Sequence, residues 1–330
     1  MSDLNESEIR SFQQARGLDV TGFVDDVTAR AIEEARWKLG DRSLYVQNAP
    51  SMRGDDVAAL QARLTEMGFD CGRVDGIFGY RTEAAVKDFQ KSVGETVDGK
   101  CGPATMIALI RLTRVVSGGV PSMLRQTATH QLRGPALANK VIVLDPQIDN
   151  PFVHDVAVRT EGRLLALGAS VFLTRGISNA PKESERIDFS NRSSADLMIS
   201  LNTDSYPNEK AHGAATYYYG SDAHGVHSIV GERFASLVQR EICARTDLTN
   251  CRTHAKTWDL LRLTTAPTVR IDLGYASNSG DSDRLSRPEF RDTVAEALVI
   301  AIQRLYLAAE DDAKTGTLKI SDLRNAGIRR

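Results

Sequence analysis

Cysteine is scarce in this chain: Cys71, Cys101, Cys243 and Cys251 are the only four in 330 residues. That is too few for a disulfide scaffold, and no two stand in a C-x-x-C pair, which excludes a zinc ribbon and a thioredoxin-like redox site. They read as buried reduced thiols behaving as small hydrophobes, with a Cys71–Cys101 or a Cys243–Cys251 bridge as the alternative. An excess of one charge is also missing. The 41 Lys+Arg against 43 Asp+Glu leave a net charge of −2, without the electrostatic footprint of a nucleic-acid binder. Apolar runs are short, such as 297–302, and none approaches the roughly 20 residues of a membrane span. The opening Met1-Ser2-Asp3-Leu4-Asn5-Glu6 is polar and acidic, without the charged-then-apolar pattern of a secretory signal. The expected location is therefore the cytoplasm, peripheral at most at the inner face of the membrane. What is present suffices to fold: 42% hydrophobic and 25% charged residues give cores to two or three domains.

The first 112 residues contain a repeat. Displaced by 77 positions, Ile9 falls on Val86, Phe12-Gln13 on Phe89-Gln90, Gly17 on Gly94, Val20 on Val97, Gly22 on Gly99, Thr28 on Thr105 and Ala31 on Ala108, without a gap. A duplicated module follows. In the second copy, Val57, Leu60, Leu64 and Met67 form one stripe of a helix over 55–68, and further helices are expected over 82–93 and up to 112. Asp75-Gly76 and Asp98-Gly99 place a permissive residue where a turn needs positive φ. Thr82 reads as an N-cap and Pro103 as the first residue of a helix. The first copy, 5–38, holds only the last two helices.

D-G-x-F-G-x-x-T-x-x-A-V-x-x-F-Q at 75–90 and D-G-x-x-G-x-x-T at 98–105 resemble the peptidoglycan-binding domain 1 family, a small three-helix bundle. The resemblance implies cell-wall glycan or a lipid-linked precursor as a partner. The motif residues are of turn, cap and core type, so a scaffold or protein-interaction role stays open beside it.

From Val141 the pattern changes. Strands are expected over 141–145, 170–174, 196–201, 214–219 and 268–273, and helices over 154–167, 184–194, 226–245 and 287–307. This alternation implies an α/β domain, a mixed or parallel sheet with helices on both faces, preceded by small all-α repeats. The domains are then a partial repeat at 1–40, a complete repeat at 41–113, a linker at 114–139, the α/β domain at 140–309 and a tail at 310–330. Functional groups in such sheets gather at the carboxyl ends of the strands, here Asp145-Pro146-Gln147, Asn202-Thr203-Asp204 and Asp272-Leu273-Gly274-Tyr275.

Asp145-Pro146, Thr174-Arg175, Ala195-Asp196-Leu197-Met198-Ile199-Ser200 and Gly274-Tyr275-Ala276-Ser277-Asn278 are similar, in order and wording, to the zinc-dependent amidase 3 family of N-acetylmuramoyl-L-alanine amidases. The resemblance implies that family's fold but places unsuitable residues at its site. Ile148 stands where the first histidine ligand belongs, and Val153 near the glutamate ligand, in a shortened loop. Asn202 takes the place of the second histidine and Asp272 that of the catalytic glutamate. Catalytic zinc needs three N, O or S donors and an open position for water. Isoleucine and valine offer none, and a neutral amide is a weak ligand. Without zinc nothing lowers the pKa of water toward about 7. The expectation is a site without catalysis, metal or cofactor. His224 and His227 form an H-x-x-H read as a solvated loop pair, His212 lies apart, and His154 would supply one ligand only. Asp204, Asp222 and Asp281 read as turn and cap residues. Tyr217–Tyr219 and Tyr275 read as alternating core and surface positions, with a substrate groove as the other reading.

The tail from Glu310 is charged and thin in apolar residues, and it carries Thr315-Gly316-Thr317. Repeats, a degenerate amidase 3 domain and a threonine-bearing tail together resemble a group of actinobacterial regulators of peptidoglycan precursor synthesis. Cys251-Arg252, Thr257 through Leu263 and Ile302 through Leu307 carry that similarity too. It implies phosphorylation of Thr315 and Thr317 by a PknB-type Ser/Thr kinase and stimulation of MurA, the UDP-N-acetylglucosamine 1-carboxyvinyltransferase. An FHA-domain protein and the MurJ flippase are further implied partners; nucleic acid is not. A zinc-dependent amidase and a plain wall-binding module are the alternatives.

Overall fold

A computed structural model describes residues 5–47, 50–113, 137–221 and 226–307. Thr315, Thr317, His224, Asp222 and most of the 114–139 segment lie outside the described residues. The chain divides into two units, one holding the helical repeats and one holding the sheet.

In the N-terminal unit, α1 (Glu6–Ala15) and α2 (Asp26–Ala35) form the partial repeat, and α3 (Asp55–Glu66), α4 (Tyr80–Val93) and α5 (Pro103–Thr113) the complete one. A capping box opens α1: the Asn5 side chain accepts from the Glu8 N–H at 3.0 Å, and Glu8 returns the bond at 2.9 Å. The α3 stripe of Val57, Leu60 and Leu64 is buried against Phe78, Val86, Phe89 and Leu109. The α1–α2, α3–α4 and α4–α5 loops are each held by one buried glutamine. Gln90 donates through Nε2 to Asp98 Oδ1 at 2.8 Å, Lys100 O at 3.1 Å and Thr105 Oγ1 at 3.1 Å, and its Oε1 accepts from the Gly99 N–H at 2.9 Å. Gln13 does the same for Thr21, Phe23, Thr28 and Gly22, and Gln61 for Asp75, Ile77, Thr82 and Gly76. The loop motif therefore occurs three times, twice within the second module. Its glycine has φ of +84° (Gly22), +72° (Gly76) and +73° (Gly99), the last two as the Asp75-Gly76 and Asp98-Gly99 pairs required. Thr82 is not an N-cap: Gly79 takes that position, and Thr82, inside the first turn, is buried as an acceptor for Gln61. Pro103 opens α5 as expected.

The four cysteines are free thiols, Cys71 and Cys101 buried, Cys243 and Cys251 half-buried, so neither bridge is formed. Burial pushes the Cys101 thiol up to about 12 from 9.0. A folded-state value above the unfolded one gives stability that is complete below pH 9 and is lost as the pH rises through that window. Iodoacetamide at about pH 8 is expected to label Cys243 and Cys251 well before Cys71 and Cys101, read by peptide mass spectrometry.

The second unit is a sheet with strand order β2-β1-β3-β7-β4-β5, β6 also pairing with β4. Strands β1 (Val141–Pro146), β2 (Ser170–Leu173), β3 (Leu197–Asp204) and β7 (Thr268–Tyr275) run parallel; β4 (Ala214–Ser221) is antiparallel to β7, and β6 (Asn250–Lys256) parallel to β4. The sheet is thus mixed. One face carries α6 (Pro151–Ala166), α8 (Ile229–Arg245) and α11 (Pro288–Tyr306), packing Val156, Phe234, Leu298 and Ile302 on Ile142, Leu144, Ile199 and Ile271. The other carries the shorter α7 (Glu183–Arg192) and α9 (Asp259–Leu263), which set Ile187 and Leu260 on Val143 and Met198. Alternation along each strand sends successive side chains to the two faces. The helix expected from 226 begins instead at Ile229, capped by Ser228, after the two-residue strand β5 (Val226–His227). Strand β6, helix α9 and helix α10 (Ser279–Ser286) stand where no element was expected. No helix among the described residues is long and apolar enough to cross a membrane.

Candidate functional site

The register of the strands lines up one polar row across the face that α7 and α9 leave half-covered. Asp145 stands opposite Ser200, Ser200 opposite Arg270, Asn202 opposite Asp272, Arg270 opposite Tyr217 and Tyr217 opposite His254. These residues share the parity of Val143 and Met198, so they project to the same face, toward the carboxyl ends of β1, β3 and β7.

Asp145 is fully buried and has three donors: Thr174 Oγ1 at 2.6 Å, Ser200 Oγ at 2.9 Å and Arg186 Nη1 at 2.5 Å. Asn202 Nδ2 donates to Ser200 Oγ at 3.0 Å, which extends the network to the end of β3. The loop after β1 is tied down by amides. Gln147 Oε1 accepts from the Thr203 N–H at 2.7 Å and its hydroxyl at 2.9 Å, while Asn150 donates to Thr203 Oγ1 and caps α6 at the Val153 N–H. Arg175 is buried, donating through Nε to Pro146 O at 2.6 Å, and burial lowers its pKa.

Asp272 is buried and bonded by both oxygens to Arg270, at 2.8 Å from Nε and 3.3 Å from Nη2. Burial works against the charge on Arg270, but the adjacent Asp272 carboxylate outweighs it and raises the guanidinium's pKa. The Arg270 guanidinium also lies 4.8 Å from the Trp258 ring centroid, and Trp258 packs on Tyr217 at 4.8 Å. Burial, with Asp272 close by, raises the pKa of Tyr217 strongly.

At the four positions singled out by sequence, Ile148 is exposed, Val153 is buried in the α6 core contact, Asn202 is occupied with Ser200 and Asp272 with Arg270. The row brings Asn202 and Asp272 together and leaves Ile148 and Val153 without a donor atom. This set does not fit a catalytic zinc, which needs three donor side chains. Among the described residues no three of His, Cys, Asp and Glu are grouped to hold a metal. His154 is half-buried on α6, His227 Nε2 lies 3.2 Å from Glu232, and His212 Nδ1 contacts Lys210 O. Asp281, read as a cap, is buried and accepts from the Gly213 and Tyr275 N–H groups, while its own N–H is capped by Asn278. Of the tyrosines, Tyr219 is buried, Tyr218 reaches Glu232 and Tyr217 faces the row. Sequence reading missed Arg270, Arg186 and Trp258. Arg270 left a signal, a cation two residues before an acid inside the apolar run Thr268-Val269-Arg270-Ile271-Asp272-Leu273.

Comparison with known proteins sets this geometry in a family. The N-acetylmuramoyl-L-alanine amidase family model (amidase 3) matches residues 147–304, and a peptidoglycan binding domain model matches 53–109. The N-acetylmuramoyl-L-alanine amidase CwlM of Mycobacterium tuberculosis is 41% identical over 335 residues, covering 96% of this chain and 82% of its own. The germination-specific N-acetylmuramoyl-L-alanine amidase of Bacillus subtilis is 28% identical, covering 53% of this chain and 83% of its own. The solved structure of the amidase Ami1 from Mycobacterium smegmatis has a TM-score of 0.47 at 21% identity, covering 52% of this chain and 98% of its own.

Proposed function

The chain belongs to the N-acetylmuramoyl-L-alanine amidase family, and we propose that this member keeps the fold without the hydrolysis and serves as a phosphorylation-switched regulator of peptidoglycan precursor synthesis, stimulating MurA. The observation that supports the loss of hydrolysis is the Asp272–Arg270 pair. The one carboxylate at the catalytic positions is buried and spends both oxygens on its neighbour's guanidinium. A general base must reach the proton it takes, and Asp272 is buried and held against the Arg270 guanidinium, which stabilises its charged form and weakens it as a base. Asn202, Ile148 and Val153 add no group that could activate water in its place.

The regulatory half of the reading rests on architecture: helical repeats, a sheet unit whose donors are gone, and Thr315-Gly316-Thr317 in the tail. A PknB-type Ser/Thr kinase phosphorylates Thr315 and Thr317, and each phosphate adds about −1.5 to −2 charges and strong acceptor oxygens for arginines on a partner. An FHA-domain protein and the MurJ flippase are further partners, and the repeats hold peptidoglycan or lipid-linked precursor. The chain acts in the cytoplasm, peripherally at the inner face of the membrane, and carries no zinc.

A second reading, a working zinc amidase, is favoured by the mycobacterial and Bacillus relatives, which are described as N-acetylmuramoyl-L-alanine amidases. One preparation separates the two. Elemental mass spectrometry after desalting without chelator is expected to give zinc per chain near zero, with no muramyl peptide released from sacculi. MurA turnover is expected to rise with kinase-treated chain and not with untreated chain. About one zinc per chain with peptide release, and no effect on MurA, would overturn the proposal.

A further inference from the structure

The three loops held by Gln13, Gln61 and Gln90 are not finished alike. Two residues beyond the positive-φ glycine stand Phe78 in one loop, Cys101 in another and Val24 in the third. Phe78 and Cys101 are each 1% exposed, whereas Val24 is 48% exposed. An extended segment covers the first two. The Phe78 N–H donates to Met52 O at 2.9 Å, and the Gly54 N–H to Gly76 O at 3.1 Å. The Cys101 N–H donates to Leu44 O at 2.8 Å, and the Leu44 N–H returns to Cys101 O at 3.1 Å. Met52 and Leu44 are buried with them in one core. Among the described residues, neither the N–H nor the C=O of Val24 has a partner. Around it Phe23 is 61% exposed and Val27 48%, where the second copy carries Lys100 and Ala104.

An exposed backbone donor and acceptor beside an apolar side chain is the template that strand addition uses. We propose that the loop at 21–25 is an open pairing slot for one extended segment of a partner protein. That segment sets an aliphatic residue against Val24, as Leu44 is set against Cys101. The next residue is apolar or aromatic. In the filled slot Tyr45 follows Leu44, and Lys100 Nζ lies 5.9 Å from its ring centroid. Phe23 holds the position of Lys100, so the matching neighbour there packs on a ring rather than on a cation.

The test uses the full chain labelled with nitrogen-15 and, as probe, the hexapeptide Asp-Arg-Ser-Leu-Tyr-Val, which reproduces the covering segment at 41–46. With peptide near 1 mM, the Val24 and Phe23 amide resonances are expected to shift, and exchange of the Val24 N–H to slow about tenfold. Both effects are expected to vanish with serine in place of the peptide's leucine. They should vanish too in the Val24→Asp chain, whose unfolding midpoint is unchanged because Val24 is exposed. The absence of any shift at Val24, or shifts confined to Cys101 and Leu44, overturns the proposal. So does a Val24 N–H protected in the free chain, which would mean a slot already filled from within. Protection that grows with chain concentration alongside a dimer in sedimentation assigns the slot to a second copy and overturns it as well.

Discussion

Asp145→Ala is expected to lower the stability of the sheet unit by about 3–5 kcal/mol, a large part of the roughly 5–15 kcal/mol that holds a domain together. The reason is what the substitution leaves behind. Arg186, 19% exposed at its side chain, loses the carboxylate 2.5 Å away, and the Thr174 and Ser200 hydroxyls lose their buried acceptor. Removing one partner of a buried pair costs more than the pair contributes, because the remaining charge keeps its desolvation penalty. Asp145 also joins three strands and a helix, since Thr174 follows β2, Ser200 lies in β3 and Arg186 in α7. Urea unfolding followed by far-ultraviolet circular dichroism measures the loss. Asp145→Asn, which keeps an acceptor for the hydroxyls but not the charge, should fall between wild type and alanine. A loss below about 1 kcal/mol for alanine would mean that Arg186 swings into water and takes its penalty with it.

The elements legible in the sequence are those whose burial is uniform or strictly periodic. Val141 through Leu144 is an unbroken apolar run because β1 lies between two neighbours and under helices on both faces. The α3 stripe is plain for the same reason. Strand β6 was hidden, because its alternating exposed and half-buried residues include Arg252, His254 and Lys256 at the sheet margin, where apolar residues are not demanded. The short β5 disappeared into the helix that follows it. At the site, the absence of donors at Ile148 and Val153 could be read directly. What fills the space could not, since the pairing of Asp272 with Arg270, two residues apart on one strand face, depends on the parity of β7 and on Trp258 arriving from beyond β6. The glutamine clamps show the reverse case. Phe-Gln marked the repeat, yet nothing in its composition said that Gln13 and Gln90 are buried and each holds a loop by several bonds.

Thr315→Ala combined with Thr317→Ala is expected to abolish kinase-dependent stimulation of MurA, while Asn202→Ala leaves it intact. The two substitutions separate the two halves of the functional reading. Two phosphates together bring about −3 to −4 charges to a segment otherwise mixed in sign, enough to form new charge-assisted bonds with arginines on a partner, and alanine removes every acceptor for that modification. Asn202→Ala deletes one hydrogen bond to Ser200 Oγ and leaves Asp145 with its three donors, a change of about 1 kcal/mol that the fold absorbs. If the site still worked as an amidase, Asn202, lying opposite Asp272, would be the substitution that matters and the threonines would not. MurA turnover measured with each kinase-treated variant decides the point: loss in the double threonine variant and retention in Asn202→Ala supports a regulator switched through its tail. Undiminished stimulation without both threonines removes the tail from the mechanism.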